Sequence, residues 1–136
     1  MAEIAQELRV EPLAWCEAAA LMLDQAMKSD PLAGIEVLKR MVENGAAELF
    51  GVFSGLYLVG CYVLRIDRKP RGNEAVIVAA AGRVKGASLI HSVLPHVESQ
   101  FHGCKAIRVH TARPGLMREL KKHNYQVREV ILVKGI

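Results

Sequence analysis

Several features that define large classes of protein are scarce or absent in this sequence. The longest apolar runs, such as residues 75–81, are far shorter than the ~20 residues that a membrane-spanning helix needs. The N-terminal residues have neither the basic region nor the apolar core of a secretory signal peptide. We therefore expect a cytoplasmic protein that is not bound to a membrane.

Cysteines are few, and they are not arranged in pairs. The three of them, Cys16, Cys61 and Cys104, form no CxxC motif and show no spacing typical of a zinc site. An odd number of isolated cysteines is typical of reduced thiols in the cytosol. The histidines at 91, 96 and 102 are five and six residues apart, so they would not share a helix face. The sequence therefore predicts neither disulfides nor a metal site.

The sequence has the proportions of hydrophobic and charged residues that are ordinary for a globular domain. Hydrophobic residues make up 51% of the 136 residues and charged residues 24%. A chain of this length can bury a substantial core, but it is too short for two typical domains. We interpret residues 1–136 as one domain.

The charge is distributed unevenly along the chain. Residues 1–48 carry nine acidic and four basic side chains, a net charge of −5, whereas residues 49–136 carry five acidic and fourteen basic ones, a net of +9. A basic half indicates either a polyanionic partner, such as phosphate groups or nucleic acid, or simply a solvated surface rich in Lys and Arg. Few aromatic residues accompany the basic ones, and no helix-turn-helix or RRM-like motif is present, so nucleic-acid binding is the least favoured function.

The first half of the chain predicts a strand, two helices and a hairpin. The elements are a strand over residues 8–11, a helix over 13–28 opened by Pro12, a helix from Asp30-Pro31 to Asn44-Gly45, and strands over 47–55 and 56–67 that turn at Ser54-Gly55. The first helix has one apolar face, formed at spacings of three and four by Leu13, Cys16, Ala20, Leu23 and Met27.

The second half predicts strands and helices in alternation. The apolar run EAVIVAAA, residues 74–81, shows no polar–apolar alternation, so both faces of this strand are expected to be covered by protein. The elements after it are a helix over 87–100, a strand over 105–111, a short basic helix over 113–124 and a closing strand over 125–134. The order (β)ααβββαβαβ predicts an α/β (α+β) fold with a mixed central β-sheet flanked by helices.

This order, with a helix directly after a basic glycine loop, resembles the GNAT superfamily of acetyl-CoA-dependent N-acetyltransferases. The stretch SGLYLVGCYVL is similar to the family's second hairpin, and AAAGRVKGASLI lies where the family keeps its pyrophosphate loop. The stretch LKKHNYQV takes the place of the family's LYxKxGF pattern. The small size also resembles GNAT-like proteins carried in bacteriophage genomes. The resemblance implies a single GNAT-like domain over residues 1–136.

The loop can be aligned with the family pattern Q/R-x-x-G-x-G/A in two registers, and the helix that follows decides between them. In the family, apolar residues stand three, four, seven and eight positions after the last glycine. If Gly86 is the last glycine, all four of these positions hold apolar residues. If Ser88 takes that place, the first two positions hold the polar residues His91 and Ser92. The Gly86 register puts Ala81 and Val84 where the family has its leading Gln or Arg and its first glycine.

In this register the resemblance implies that the loop binds acetyl-CoA or another acyl-CoA. Backbone N–H groups at the start of a helix bind phosphate, and Gly86 leaves room for the ligand to approach them. Arg83 and Lys85 can add charge-assisted bonds to phosphate oxygens. The implied cofactor-binding residues are Ala79, Ala80, Ala81, Arg83, Val84, Lys85, Gly86, Ala87 and Ser88.

The family's reaction, attack of an amine on an acetyl thioester, uses a base for the amine and an acid for the thiolate. The usual acid is the tyrosine of LYxKxGF. Aligning Tyr125 with the phenylalanine of that pattern puts Leu120 at the tyrosine position and Asn124 at the glycine, so this acid is missing. The candidate bases are His110, at the C-terminal end of its strand, and Glu48, at the start of the first central strand.

The resemblance implies an N-acetyltransferase-like protein that transfers an acetyl group from acetyl-CoA to an amine of a small molecule or a protein. Leu120 and the altered loop leave open an alternative, a GNAT-fold protein without catalysis that serves as a CoA-binding or protein-interaction module. The closing strand could pair with a partner's sheet, which is consistent with a homodimer.

Overall fold

The computed structural model describes residues 8–27, 34–82, 87–101, 103–111 and 113–136, with the backbone alone for residues 87–91. In chain order its elements are β1 (Leu8–Pro12), α1 (Glu17–Ala26), α2 (Ile35–Glu43), β2 (Glu48–Ser54), β3 (Tyr57–Asp67), β4 (Asn73–Gly82), α3 (Ala87–Ser99), β5 (Cys104–Val109) and α4 (Pro114–Lys122). The predicted mixed α/β fold is confirmed. None of the described helices has the length and apolar character needed to cross a bilayer.

The strands form one sheet in the order β1-β2-β3-β4-β5. The first four strands are antiparallel to their neighbours, and β5 is parallel to β4. A two-residue turn at Gly55-Leu56 joins β2 to β3, and Gly55 has a φ of 60°, a conformation that glycine adopts without strain. A parallel pair needs a long crossover connection, which α3 provides between β4 and β5.

The sheet is covered on both faces, as the sequence of β4 predicts. On one face α1 and α2 pack against a cluster that includes Leu23 and Ala79. On the other face α3 packs against a second cluster, to which β4 contributes Ile77 and α3 contributes Val97. Because β4 has apolar side chains on both faces, it lies in the centre of the hydrophobic core.

The start of the first helix differs from the prediction. Pro12 ends β1, opposite Phe50 of β2, and the helix begins only at Glu17. Proline fits the end of an edge strand as well as the start of a helix, because its missing N–H is tolerated in both places. The predicted start of the second helix, at residues 30–31, lies outside the described residues, and its end at Asn44 and Gly45 is confirmed.

The closing strand is a second difference. The sequence predicts a strand over residues 125–134, but residues 125–136 form none in the structure. A strand is maintained by hydrogen bonds to a neighbouring strand, and none of the described strands pairs with this segment. The β-prone composition is therefore present without a pairing partner among the described strands.

Candidate functional site

β4 extends beyond the end of β5, and we call the side of residues 78–82 that β5 does not cover the β4–β5 opening. Their pairing runs from Asn73 to Ile77 on β4. The His110 N–H, which donates to the Ile77 carbonyl at 3.1 Å, marks its end. Beyond this point β4 continues to Gly82, and no described strand pairs with its β5 side. On the β5 side of residues 78–82, backbone groups other than the Ala80 carbonyl are therefore available for hydrogen bonds to a ligand.

A β-bulge in β4 lies where the opening begins. Val63 of β3 is opposite Ala79, but the next residue of β3, Leu64, is opposite Ile77, which makes Val78 the extra residue. Val78 and Ala79 consequently both pack towards the α1 face. Bulges bend a strand and are frequent beside active sites. The sequence gives no sign of this bulge, because the apolar run has no alternation that an extra residue could interrupt.

Three predicted cofactor-binding residues form the β4 wall of the opening. Ala79 and Ala81 pack on the α1 face and Ala80 on the α3 face. The Ala80 carbonyl accepts a hydrogen bond of 2.8 Å from the Arg113 guanidinium. Arg113 is the N-cap residue of α4, and its backbone N–H donates to the Thr111 hydroxyl at 3.1 Å. An exposed cation thus lies beside the opening, although no motif relates residues 80 and 113 in the sequence.

The predicted pyrophosphate loop lies outside the described residues, which exclude Arg83, Val84, Lys85 and Gly86. The structure describes both ends of the loop. Gly82 ends β4, and Ala87 and Ser88 are the first residues of α3. The strand predicted before this segment and the helix predicted after it are therefore confirmed, and the helix N-terminus follows the open part of β4.

His110 directly follows β5 at the opening, and its side chain is exposed. Partial burial, together with the nearby charges of Arg108 and Arg65, lowers the pKa of its imidazole below the ordinary value of 6.5. The carboxylates of Glu129 and Asp67 act in the opposite direction but do not reverse the shift. The imidazole is therefore uncharged at neutral pH, which is the form that accepts a proton.

A network of ion pairs fixes the part of β5 that precedes His110. Arg108 donates to Asp67 and to Glu74, in each case at 3.1 Å. Glu74 is 5% exposed and also accepts bonds from Lys69, at 3.1 Å, and from Arg128. The bonds from Arg128 and Lys69 lower the pKa of the Glu74 carboxyl, so it is ionised at neutral pH. The network joins β3, β4, β5 and the terminal segment.

The structure does not bring the second candidate base to the opening. Glu48 begins β2 opposite Leu64 of β3, which in turn lies opposite Ile77 of β4. Three strand spacings of ~4.8 Å separate the backbones of Glu48 and β5, a distance of roughly 14 Å. Glu48 instead lines a surface groove of about 610 Å³ together with Trp15. Of the two candidate bases, only His110 lies at the opening.

The end of α4 agrees with the alignment of its motif. Leu120, at the position of the family's tyrosine, is 6% exposed and has no proton to donate. Asn124, at the position of the glycine, has a φ of 70°. The N–H groups of Tyr125 and Asn124 donate to the carbonyls of Leu120 and Lys121, each at 3.1 Å, which is the Schellman pattern of a helix end.

Three other ionisable side chains are poor bases. Burial raises the pKa of the Cys61 thiol to about 12, and burial likewise raises that of Tyr62 to about 12. Burial and a 2.9 Å hydrogen bond to Glu98 raise the pKa of Tyr125 as well. All three are protonated at neutral pH, so they cannot remove a proton from an amine.

No protein-family model matches this sequence, and no curated protein matches it. Solved structures do match. The chain is similar to a structure described as a possible acetyltransferase from Clostridium difficile 630, with a TM-score of 0.69 and 7% identity over 95% of this chain and 97% of the other. It is also similar to a Bacillus subtilis acetyltransferase in complex with CoA, with a TM-score of 0.70 and 19% identity over 90% of this chain and 79% of the other.

A third similar structure is the ribosomal-protein-alanine N-acetyltransferase from Brucella melitensis biovar Abortus 2308. Its TM-score is 0.67, with 12% identity over 95% of this chain and 98% of the other. At such low identities the likeness establishes the fold alone. The chain has the fold of these acetyltransferases over nearly its whole length.

Proposed function

We propose that this chain binds an acyl-CoA, with acetyl-CoA as the first candidate, and transfers the acyl group to an amine of a small molecule or a protein. The observation that carries the proposal is that β4 continues beyond Ile77, where β5 ends, with the bulge at Val78 and α3 following β4. This one opening is adjoined by backbone groups, by the cation of Arg113 and by the uncharged His110. The shared fold of solved acetyltransferases supports the same reading.

The residues around the opening fit an acyl-CoA. The side chains of Ala79, Ala80 and Ala81 are small, and no described strand pairs with their backbone on the β5 side, so an extended amide-containing chain can lie along β4. The phosphates would be held at the start of α3, where Gly86 leaves space and Arg83 and Lys85 contribute charge. When bound, acetyl-CoA supplies an acyl group activated as a thioester.

His110 has the properties required of the base. A protonated amine is not a nucleophile, so a group at the opening must accept its proton before or during attack. His110 is exposed there and is uncharged at neutral pH. Leu120 supplies no proton to the leaving group, and none is required near neutral pH, because a thiol has a pKa of about 8–9.

Thermal unfolding in the presence of acetyl-CoA tests the binding site. A ligand at 100 times its Kd stabilises the folded state by about 2.7 kcal/mol, which raises the Tm of a chain of this size by roughly 10 °C. Gly86→Glu should abolish the rise, because it adds bulk and negative charge where phosphate would bind. The matched control is Gly103→Glu, since a side chain at Gly103 meets nothing within 4 Å.

Two results would contradict the proposal at different levels. If neither acetyl-CoA nor CoA at millimolar concentration changes the Tm of the native chain, the cofactor assignment is wrong. If the Tm rises but no amine in a broad panel is acetylated, measured as release of free CoA thiol, the chain is a CoA-binding module without catalysis.

A further inference from the structure

A surface groove of about 610 Å³ lies beside the start of β2, and we call it the Trp15 groove. Leu13 and Trp15 line it from the segment that follows β1, Val42 and Glu43 from the end of α2, and Glu48 from the start of β2. Its volume is in the range of small-molecule binding sites. The groove is separate from the β4–β5 opening, because β3 and β4 lie between β2 and β5.

Backbone hydrogen bonds hold the walls of the Trp15 groove in place. The Leu13 N–H donates to the Leu49 carbonyl at 2.9 Å, which ties the segment after β1 to β2. The Ala47 N–H donates to the Met41 carbonyl at 3.0 Å, which ties the connection before β2 to α2. Trp15 itself packs on the hydrophobic cluster between the sheet and the first two helices. The groove is therefore part of the fold, and what it recognises depends on the side chains that line it.

The charged side chains of the Trp15 groove all have the same sign. Glu43 and Glu48 line it, and the described lining contains no Lys, Arg or His. Neither carboxylate takes part in the ion pairs of the described residues. In addition, α2 ends at Glu43, and the C-terminal end of a helix carries a partial negative charge. The groove therefore combines an indole ring and apolar side chains with a negative potential that no described cation neutralises.

We propose that the Trp15 groove is a binding site for a small organic ammonium ion, that is, a positively charged nitrogen carried on a short apolar group. The charge is complementary to Glu43 and Glu48, and cations also bind over the face of an indole. The apolar group fits against Leu13 and Val42, which are both partly exposed. An anion of the same size would be repelled, and a neutral molecule would gain the apolar contacts alone. This inference does not rest on the proposed function, because the groove lies apart from the β4–β5 opening.

The fluorescence of Trp15 tests this site directly, because Trp15 is the one tryptophan of the chain. The probe is isoamylammonium chloride, added up to tens of millimolar at constant ionic strength and at pH 7, where a primary alkyl amine is protonated. We expect a saturable change in the emission of Trp15. The uncharged isoamyl alcohol should bind on the order of tenfold more weakly, because it lacks the charge that the indole and the two carboxylates attract.

Glutamine variants then assign the binding to the two carboxylates. Glu43→Gln and Glu48→Gln should each raise the Kd for isoamylammonium by about threefold, the effect expected of an ion pair in contact with water, and the double variant by on the order of tenfold. The matched control is Glu36→Gln, because Glu36 is an exposed carboxylate of α2 that does not line the groove. This control should leave the Kd unchanged. Unchanged circular dichroism would confirm that all the variants remain folded.

Three results would overturn the proposal. The first is the absence of a saturable change in Trp15 emission with isoamylammonium. The second is equal affinity for the ammonium and the alcohol, or a Kd that the double glutamine variant leaves unchanged. The third is a Trp15 spectrum that changes with chain concentration in the absence of the probe, because a second copy of the chain would then fill the groove.

Discussion

Single residues at the β4–β5 opening show which parts of the site can be inferred from sequence. The alignment predicts that Leu120 stands in place of a tyrosine and Asn124 in place of a glycine, and the positive φ of Asn124 is the conformation that glycine favours. The contact of Arg113 with Ala80 and that of Arg108 with Glu74 could not be inferred in this way. They join residues more than thirty positions apart in the sequence, which become neighbours only because α3 crosses between β4 and β5.

His110 provides the prediction at this scale. We expect His110→Asn to lower the acyl-transfer rate at pH 7 by about a hundredfold, which is within the usual range for loss of a general base. The Tm rise with acetyl-CoA should be retained, because His110 is not among the phosphate- or backbone-binding residues. His96→Asn is the control, since His96 is also exposed but lies in the last turn of α3, whereas the β4–β5 opening adjoins the first turn.

The pH profile of the native chain adds a second measurement of the same residue. A base acts in its uncharged form, so the rate should rise with pH through the pKa of His110. Because that pKa is lowered, the midpoint of the rise should lie below 6.5. Turnover by His110→Asn equal to that of the native chain would show that His110 has a structural role only.

The sequence predicts a secondary-structure element well where two independent features of the sequence indicate it. β4, α3 and α4 combine an apolar pattern with a flanking glycine or proline, and the structure has all three. Pro12 is ambiguous, because proline suits both a helix start and the end of an edge strand. The bulge at Val78 and the unpaired state of residues 125–136 depend on which strands become neighbours, and local sequence does not contain that information.

The end of α4 gives a prediction about stability. Asn124 has a positive φ, which asparagine and glycine adopt more readily than other residues do. We expect Asn124→Ala to lower the free energy of unfolding by about 1 kcal/mol, because alanine lacks the short polar side chain whose local hydrogen bonds favour asparagine in the left-handed conformation. Asn124→Gly should change it much less. Urea denaturation measures both, with Lys121→Ala inside α4 as the control for a change in an ordinary helical position.

The comparison of Asn124→Ala with Asn124→Gly tests the role of the left-handed conformation. If Asn124→Ala and Asn124→Gly unfold at the same urea concentration, the left-handed conformation at this position does not constrain the helix end. The alignment of LKKHNYQV with the family pattern would then lose its structural support.

For the molecule as a whole, the fold changes how the uneven charge is interpreted. The basic half of the sequence suggests a polyanion-binding surface, but some of its basic side chains form ion pairs within the chain. Arg65, Lys69, Arg108 and Arg128 form ion pairs with Asp67 and Glu74. These four cations hold the sheet and the terminal segment together. They therefore have a structural role, while the net charge of +9 over residues 49–136, which already counts both carboxylates, is unchanged.

The last prediction concerns Glu74, the carboxylate at the centre of that network. Glu74→Gln keeps the shape of the side chain but removes the charge that faces Lys69, Arg108 and Arg128. The variant should unfold at a lower urea concentration than the native chain at pH 7, because three cations lose their shared counter-charge. Glu36→Gln, on the exposed surface of α2, is the control and should change the midpoint little.

The pH dependence separates an electrostatic role for Glu74 from a simple loss of packing. Its pKa in the folded chain is lowered from the ordinary value of 4.5. The stabilisation by its charge is therefore fully present above pH 4.5 and is lost as the pH falls through the lower, folded pKa. The difference in unfolding free energy between the native chain and Glu74→Gln should be constant between pH 5 and pH 7 and should shrink below about pH 4. A difference that persists undiminished to pH 3 would mean that Glu74 stabilises the sheet through its shape and hydrogen bonds alone.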